Sequence, residues 1–150
     1  MLKLVMVLGL LSGSTSATAS GPPYVWSAWS KDVAFFGVPD TDDGTLTVFC
    51  DRADGLSIGG SLARDAPVGG RVPLTLSGQG FSTRRSVEVS ECDGLCFSTP
   101  VKADDPAIKA LLAGRPLTLD QAGDHWTVSG KGAARVLLPL IKACGVARRK

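Results

Sequence analysis

Ser57 has the sequence neighbours expected of an enzymatic nucleophile. It lies at the centre of Gly55-Leu56-Ser57-Ile58-Gly59, which matches the G-x-S-x-G nucleophile elbow, and the only histidine, His125, follows it in hydrolase order. The elbow requires a turn between a strand and a helix, and a buried carboxylate must orient the histidine. Here the run is strand-like, and Asp124, adjacent to His125, is poorly placed to orient it. We interpret Ser57 as a strand serine and keep a small secreted hydrolase using Ser57 and His125 as an alternative.

Carboxylates that could bind a metal ion or act as an acid–base pair occur at two places. Three aspartates in segment 40–43 precede Gly44, but this glycine comes one place too early for an EF-hand calcium loop. Asp104 and Asp105 are adjacent, whereas a glycosidase needs two carboxyl groups opposed across a cleft. We interpret the first group as a polar hairpin turn and the second as a helix cap. The sequence thus predicts no catalytic residue, no metal site and no cofactor.

The N-terminus has the pattern of a secretory signal peptide. Lys3 precedes the short apolar run 4–11, and small residues then lead to the A-x-A cleavage site Ala17-Thr18-Ala19. The run is much shorter than the roughly 20 residues that span a bilayer, and no second long apolar run follows it. Asparagine is absent, whereas alanine and arginine are used freely, as in a GC-rich bacterial coding sequence. We predict a signal peptide over residues 1–19 and a periplasmic or secreted protein without a membrane span.

The four cysteines of an exported chain are expected to form disulfide bonds. Cys92 and Cys96 flank three residues, so they would face each other across a hairpin with a three-residue loop. This pairing leaves Cys50 to bond Cys144, although four cysteines allow three connectivities. A zinc site and a redox pair are the alternatives, but zinc sites favour paired short spacings such as C-x2-C and thioredoxin-type motifs need C-x-x-C. The single close pair here has the spacing C-x3-C.

Charge argues against a nucleic-acid partner. Lysine and arginine number 16 and aspartate and glutamate 14, which gives a formal net charge of +2. A nucleic-acid-binding protein should carry a basic stripe, whereas the basic run of this chain is confined to Arg148-Arg149-Lys150. We interpret residues 146–150 as a solvated basic tail.

The pattern between residues 33 and 128 is mainly that of β-strands. Apolar runs alternate with turn signals such as Asp-Gly, and residues 71–77 alternate as a strand in which Pro73 predicts a sheet edge or a bulge. Two segments have helical spacing instead. Asp105, Pro106 and Gly114 have the residue types of an N-cap, a first turn and a helix stop, and residues 133–144 form a C-terminal helix ended by Gly145. Pro139 within the latter predicts a kink or a late start.

These elements predict a mainly β (α+β) fold, a small antiparallel sandwich or curled sheet with a short helix and a C-terminal helix packed on it. We expect one disulfide-bonded domain over residues 33–145, preceded by an irregular lead over residues 20–32. Tyr24, Trp26 and Trp29 in that lead could bind a partner, or they could cover one end of the core.

An ordered series of apolar, glycine and cysteine positions runs through most of the mature chain. It comprises Trp26 and Trp29, the run 44–50 ending in Cys50, Leu56-Ser57-Ile58, Ile108 with Leu111 and Leu112, Gly114 with Leu117 and Leu119, Ala133-Ala134 and the run 140–144. In this order the chain resembles small periplasmic proteins of proteobacteria, such as the invasion-associated locus B family and accessory proteins of type VI secretion loci. The resemblance implies a β-rich, non-enzymatic envelope protein and carries over no catalytic residue.

The sequence therefore favours an exported, non-enzymatic binding protein of the bacterial envelope. Its partner would be an unidentified envelope or secreted protein, contacted through Tyr24, Trp26 and Trp29 or through a sheet edge at Pro73. A periplasmic domain that binds a small ligand is a second alternative, beside the hydrolase.

Overall fold

The computed structural model describes residues 23–62 and 65–147, so the predicted signal peptide and residues 148–150 of the predicted basic tail lie outside the described residues. Within these ranges nine strands form one antiparallel sheet, and two helices pack against it. In chain order the elements are β1 (Val25–Ser30), β2 (Val33–Gly37), β3 (Gly44–Asp51), β4 (Gly55–Ser61), β5 (Arg71–Gly78), β6 (Phe81–Cys92), β7 (Gly94–Pro100), α1 (Pro106–Leu112), β8 (Leu117–Gln121), β9 (Asp124–Val128) and α2 (Ala133–Ala147). The predicted mainly β fold with a short helix and a C-terminal helix is confirmed.

The strands lie in the order β1-β2-β3-β4-β7-β6-β5-β8-β9, so β1 and β9 are the edges of the sheet. The sheet is curled into a half-barrel, and its two edges approach each other at one point. There the indole Nε1–H of Trp26, on β1, donates a hydrogen bond of 2.7 Å to the backbone oxygen of Ser129, which follows β9. Because the sheet is curled, it has an inner, concave face and an outer, convex face.

The core fills the inner face of the curled sheet. Alternate strand residues such as Val48, Ile58 and Leu74 point inward and are fully buried, as are Ile108 of α1 and Leu137 of α2. Helix α1 contacts β5 and β8, whereas α2 contacts β1 to β4. Both helices therefore lie within the concavity and leave the outer face of the sheet uncovered.

The prediction that residues 20–32 form an irregular lead is wrong from Val25 onward. Residues Val25–Ser30 form β1, which pairs with β2 and extends the folded unit before residue 33. Two features make this strand difficult to predict from the sequence. Prolines precede it, and the register shifts between Ala28 and Ser30, so that its inward and outward residues do not alternate strictly.

Pro73 is not on an edge strand, since β5 lies between β6 and β8. Its strand nevertheless tolerates a proline because β8 pairs only with Thr75–Ser77, whereas Pro73 pairs with Ser86 of β6 alone. The missing N–H of Pro73 therefore falls where the neighbouring strand has already ended.

Helix α2 is longer than its sequence signals indicate. It begins at Ala133, continues through Pro139 and runs two residues beyond Gly145, which does not end it. The prediction of a late start after Pro139 is therefore wrong. The disulfide bond between Cys50 and Cys144, whose Cα atoms are 5.6 Å apart, joins this helix to β3 and holds it against the sheet.

Candidate functional site

The structure does not bring Ser57 and His125 together. Ser57 lies within the continuous strand β4, with no helix after it, and His125 lies on the edge strand β9. Four strands stand between β4 and β9 in the sheet order, and both side chains belong to the outer face of the curled sheet. Because the outer face is convex, its curvature moves the two residues further apart. The interpretation of Ser57 as a strand serine agrees with this placement.

The carboxylates singled out in the sequence lie in separate environments. The aspartates of segment 40–43 belong to the turn between β2 and β3, as predicted. Asp105 is the N-cap of α1, where its Oδ1 accepts a hydrogen bond of 3.0 Å from the backbone N–H of Ala107. Among residues 23–62 and 65–147 no group of three or more metal-ligating side chains occurs. No helix in this part of the chain is both long and apolar enough to cross a membrane.

Cys92 and Cys96 form a disulfide bond at the tip of the β6–β7 hairpin, with Cα atoms 5.9 Å apart. The predicted geometry is wrong in detail, because the two cysteines do not face each other. Cys92 pairs with Gly94 and Ser90 pairs with Cys96, so the disulfide crosses the hairpin diagonally. Gly94 makes this tight tip possible, since its φ of 114° is a conformation that favours glycine.

The three aromatic residues predicted to bind a partner lie in different environments. Trp26 is a core residue, 2% exposed, so the alternative that it covers one end of the core is the right one for this side chain. Trp29 is 56% exposed on the outer face, and Tyr24 is 42% exposed next to the β2–β3 turn. The Tyr24 hydroxyl donates a hydrogen bond of 2.9 Å to Asp43 Oδ1, and this bond raises the pKa of Tyr24 above its ordinary value of 10.0.

Trp29 and Phe35 together form an aromatic platform on the outer face. Their rings stack with centroids 4.7 Å apart and an interplanar angle of 22°. Phe35 is only 5% exposed although it points outward, because its ring lies directly over the backbone of Gly37 and Gly44. A Cβ atom at either glycine would overlap the Phe35 ring. The two glycines therefore let Phe35 lie flat, and Phe35 in turn supports the exposed indole.

The aromatic platform is one end of an open groove of about 790 Å³, here called the outer groove. Its floor follows one row of paired residues across four strands, in which Phe35 pairs with Thr47, Thr47 with Gly59 and Gly59 with Ser98. Gly59 deepens the centre of this row because it has no side chain, and Phe49 packs close beside it.

Aspartates stand at both ends of the outer groove. Asp42 and Asp43 lie at the platform end, in the turn between β2 and β3, and Asp93 lies at the disulfide-bonded tip of the β6–β7 hairpin. Among residues 23–62 and 65–147, no lysine, arginine or histidine lines the groove. The outer groove therefore combines aromatic surface with negative charge and can bind a cationic or amphipathic ligand.

Sequence reasoning found Trp29 and missed most of the outer groove. In the sequence Phe35 lies within the apolar run 33–38, where nothing distinguishes it from its neighbours. In the structure Ala34 and Phe36 point inward, and strict alternation places Phe35 on the other face. Nothing in the sequence indicated that Gly37 and Gly44 lie beneath its ring. The groove can be recognised only when the pairing of β4 with β7 is known. These two strands are distant in the chain, since β4 ends at Ser61 and β7 begins 33 positions later, at Gly94.

Neither a protein-family model nor a curated protein matches the sequence. Among solved structures, the fold matches that of invasion-associated protein B from Bartonella henselae, with a TM-score of 0.47 and 17% sequence identity over 79% of this chain and 91% of that chain. Its name corresponds to the invasion-associated locus B family, which the order of residues in this sequence resembles.

Proposed function

We propose that this protein is an exported, non-enzymatic binding protein of the bacterial envelope, which binds a protein partner at edge strand β1. The observation that carries the proposal is Trp29, a tryptophan 56% exposed on an edge strand. Tryptophan is enriched among the residues that contribute most to binding at protein interfaces. An exposed indole supported from beneath by Phe35 has little freedom to lose on binding.

Strand β1 offers a partner both side chains and backbone. It pairs with β2 on one side only, and the other side belongs to the edge of the sheet. An unpaired edge can accept an extended segment of another protein as an additional strand. Within the described ranges the exposed large hydrophobic residues are Tyr24, Val25, Trp29, Val68 and Leu138, and the first three lie on or next to β1. The opposite edge, β9, has no residue of this kind.

Export is supported by two independent features. The N-terminal sequence has the charged start, short apolar centre and A-x-A site of a signal peptide. In addition, all four cysteines are paired in disulfide bonds, which persist in the periplasm and outside the cell and are rare in the cytosol. The separation of Ser57 from His125 supports a role without catalysis, as argued above.

The experiment is affinity capture with a matched control. The tagged, oxidised protein is incubated with native envelope extract and culture medium, and bound proteins are identified by mass spectrometry. Trp29→Ala removes the exposed indole of β1. Leu138→Ala is the control, because Leu138 is also 56% exposed but lies on α2. Circular dichroism checks that both variants are folded.

We expect one protein to be captured in stoichiometric amount by the wild type and by Leu138→Ala, and to be lost or strongly reduced with Trp29→Ala. Capture that is unchanged by Trp29→Ala would show that β1 is not the binding surface. Absence of any reproducible partner from a folded, oxidised sample would contradict the proposed function itself.

A further inference from the structure

We propose that the outer groove binds an extended, positively charged peptide segment of the partner protein, an inference that rests on the proposed function and names the chemistry of the partner. The groove begins at Trp29, so it is continuous with the surface to which the partner is assigned. The charged residues that line it within the described ranges, Asp42, Asp43 and Asp93, are all acidic.

The aromatic surface and the carboxylates of the groove both favour binding of a cationic side chain. An arginine or lysine side chain binds favourably over the face of a tryptophan, and its charge is attracted by nearby carboxylates. Asp43 already accepts a hydrogen bond from Tyr24, whereas no cation among the described residues pairs with Asp42 or Asp93. A cationic side chain at each end of the groove would therefore meet a carboxylate, and at one end it would also meet the indole ring.

The length of the groove favours an extended segment over a compact molecule. From β1 to β6 the groove crosses five inter-strand steps, which at about 4.8 Å each correspond to about 24 Å along the sheet. An extended peptide advances about 3.3 Å per residue, so about seven residues fill this distance. The aspartates lie at the two ends of the groove, which predicts that the positive charges of the segment lie near its ends.

The test uses a capped heptapeptide with arginine at both ends and serine and threonine between them. The comparison peptide has glutamine in place of both arginines. Each is titrated into the isotope-labelled, oxidised protein, and binding is followed by NMR, with the indole N–H of Trp29 assigned from a Trp29→Phe variant. The double variant Asp42→Asn/Asp93→Asn removes two charges from the groove. Asp51→Asn/Asp104→Asn is the matched control, because it removes two charges from outside the groove.

We expect the arginine peptide to shift the Trp29 indole signal and the residues of the groove floor, and the glutamine peptide to bind at least fivefold more weakly. Asp42→Asn/Asp93→Asn should weaken binding of the arginine peptide by about five- to tenfold, and the control variant by less than about twofold. Binding that is equally strong in the groove variant and the control overturns the inference, as do shifts confined to residues outside the groove. Spermine that binds as tightly as the peptide overturns it too, because the groove would then recognise charge without an extended segment.

Failure of this inference is distinguishable from failure of the proposed function. If a native partner is captured through Trp29 and its capture is unchanged by Asp42→Asn/Asp93→Asn, the proposed function stands and only the cationic segment is overturned. If the partner is lost with both variants but retained by the two controls, both proposals are supported.

Discussion

Arg85 of strand β6 forms an ion pair with Asp105, the N-cap of helix α1. The two oxygens of this carboxylate have different partners, since Oδ1 accepts a hydrogen bond from the backbone of Ala107 and Oδ2 pairs with the guanidinium of Arg85. Both side chains are largely buried, 19% and 10% exposed. Asp105 therefore begins the helix and also attaches it to the sheet.

The first prediction concerns the loss of this carboxylate. Asp105→Ala removes the helix cap and leaves Arg85 without its anionic partner in a largely buried position, where its Nε already has no hydrogen-bond partner among the described residues. We expect the free energy of unfolding to fall by about 2–4 kcal/mol. Urea unfolding measures it. Asp104→Ala, which removes an exposed neighbouring carboxylate, should change it by less than about 0.5 kcal/mol. Equal effects of the two variants would contradict the double role of Asp105.

The second prediction compares two glycine substitutions that should change the free energy of unfolding in opposite directions. A Cβ atom at Gly44 overlaps the Phe35 ring, so Gly44→Ala should destabilise the protein by about 1–3 kcal/mol and disturb the stacking of Trp29 on Phe35. Gly145 lies within α2, and a Cβ atom there meets nothing within 4 Å, so Gly145→Ala should stabilise the protein by about 0.5–1 kcal/mol.

Thermal unfolding followed by circular dichroism shows whether each glycine variant is less or more stable than the wild type. Tryptophan fluorescence then reports on the platform, because Gly44→Ala should change the emission of Trp29 whereas Gly145→Ala should not. An unchanged emission spectrum in Gly44→Ala would argue against the support of Trp29 by Phe35.

The third prediction concerns the two disulfide bonds. Cys50 and Cys144 are 94 residues apart, whereas Cys92 and Cys96 are only 4 apart. Because cross-linking a longer loop restricts the unfolded chain more, Cys50→Ala/Cys144→Ala should lower the free energy of unfolding by about 2–3 kcal/mol more than Cys92→Ala/Cys96→Ala. Urea unfolding of the two double variants under identical conditions makes the comparison. Peptide mapping of the unreduced wild type checks the pairing itself.

The fourth prediction concerns the ionisation of Tyr24, the only tyrosine of the chain. Its hydrogen bond to Asp43 is the main cause of its raised pKa, because the bond is lost when the phenol ionises. A folded-state pKa above the unfolded value of 10.0 means that this contribution to stability is fully present below pH 10.0 and is lost as the pH rises through the folded-state pKa. The protein should therefore become less stable in that alkaline range.

Ultraviolet absorbance of the phenolate measures this pKa directly. Asp43→Asn removes the charged acceptor and should lower the pKa of Tyr24 towards its ordinary value. Asp42→Asn removes a neighbouring charge but no hydrogen bond to Tyr24, so it should have a smaller effect. Equal shifts in the two variants would mean that charge alone, and not the hydrogen bond, raises the pKa.

Local sequence was sufficient for those elements whose signals are themselves local. The helix cap at Asp105 follows from a hydrogen bond that spans two residues, and the β2–β3 turn follows from a short polar segment. The two cysteine pairs were likewise favoured by spacing, because a sequence separation of 4 lets a hairpin bring Cys92 close to Cys96 and leaves Cys50 to bond Cys144. By contrast, the strand at Val25–Ser30 was missed because its pattern is interrupted by a shift in register that only its pairing with β2 reveals.

By itself, the sequence determined the mainly β class of the fold, the position of α1 and the strand-like character of the run around Ser57. These properties depend on residues close to one another in the chain. Only the tertiary structure decided that Trp26 is buried while Trp29 is exposed, and that the strand containing Pro73 lies between two other strands. Only it assembled the outer groove. The reason is physical: the groove arises from strands that pair across long stretches of chain and from the curl that turns one face of the sheet towards the helices and the other towards solvent.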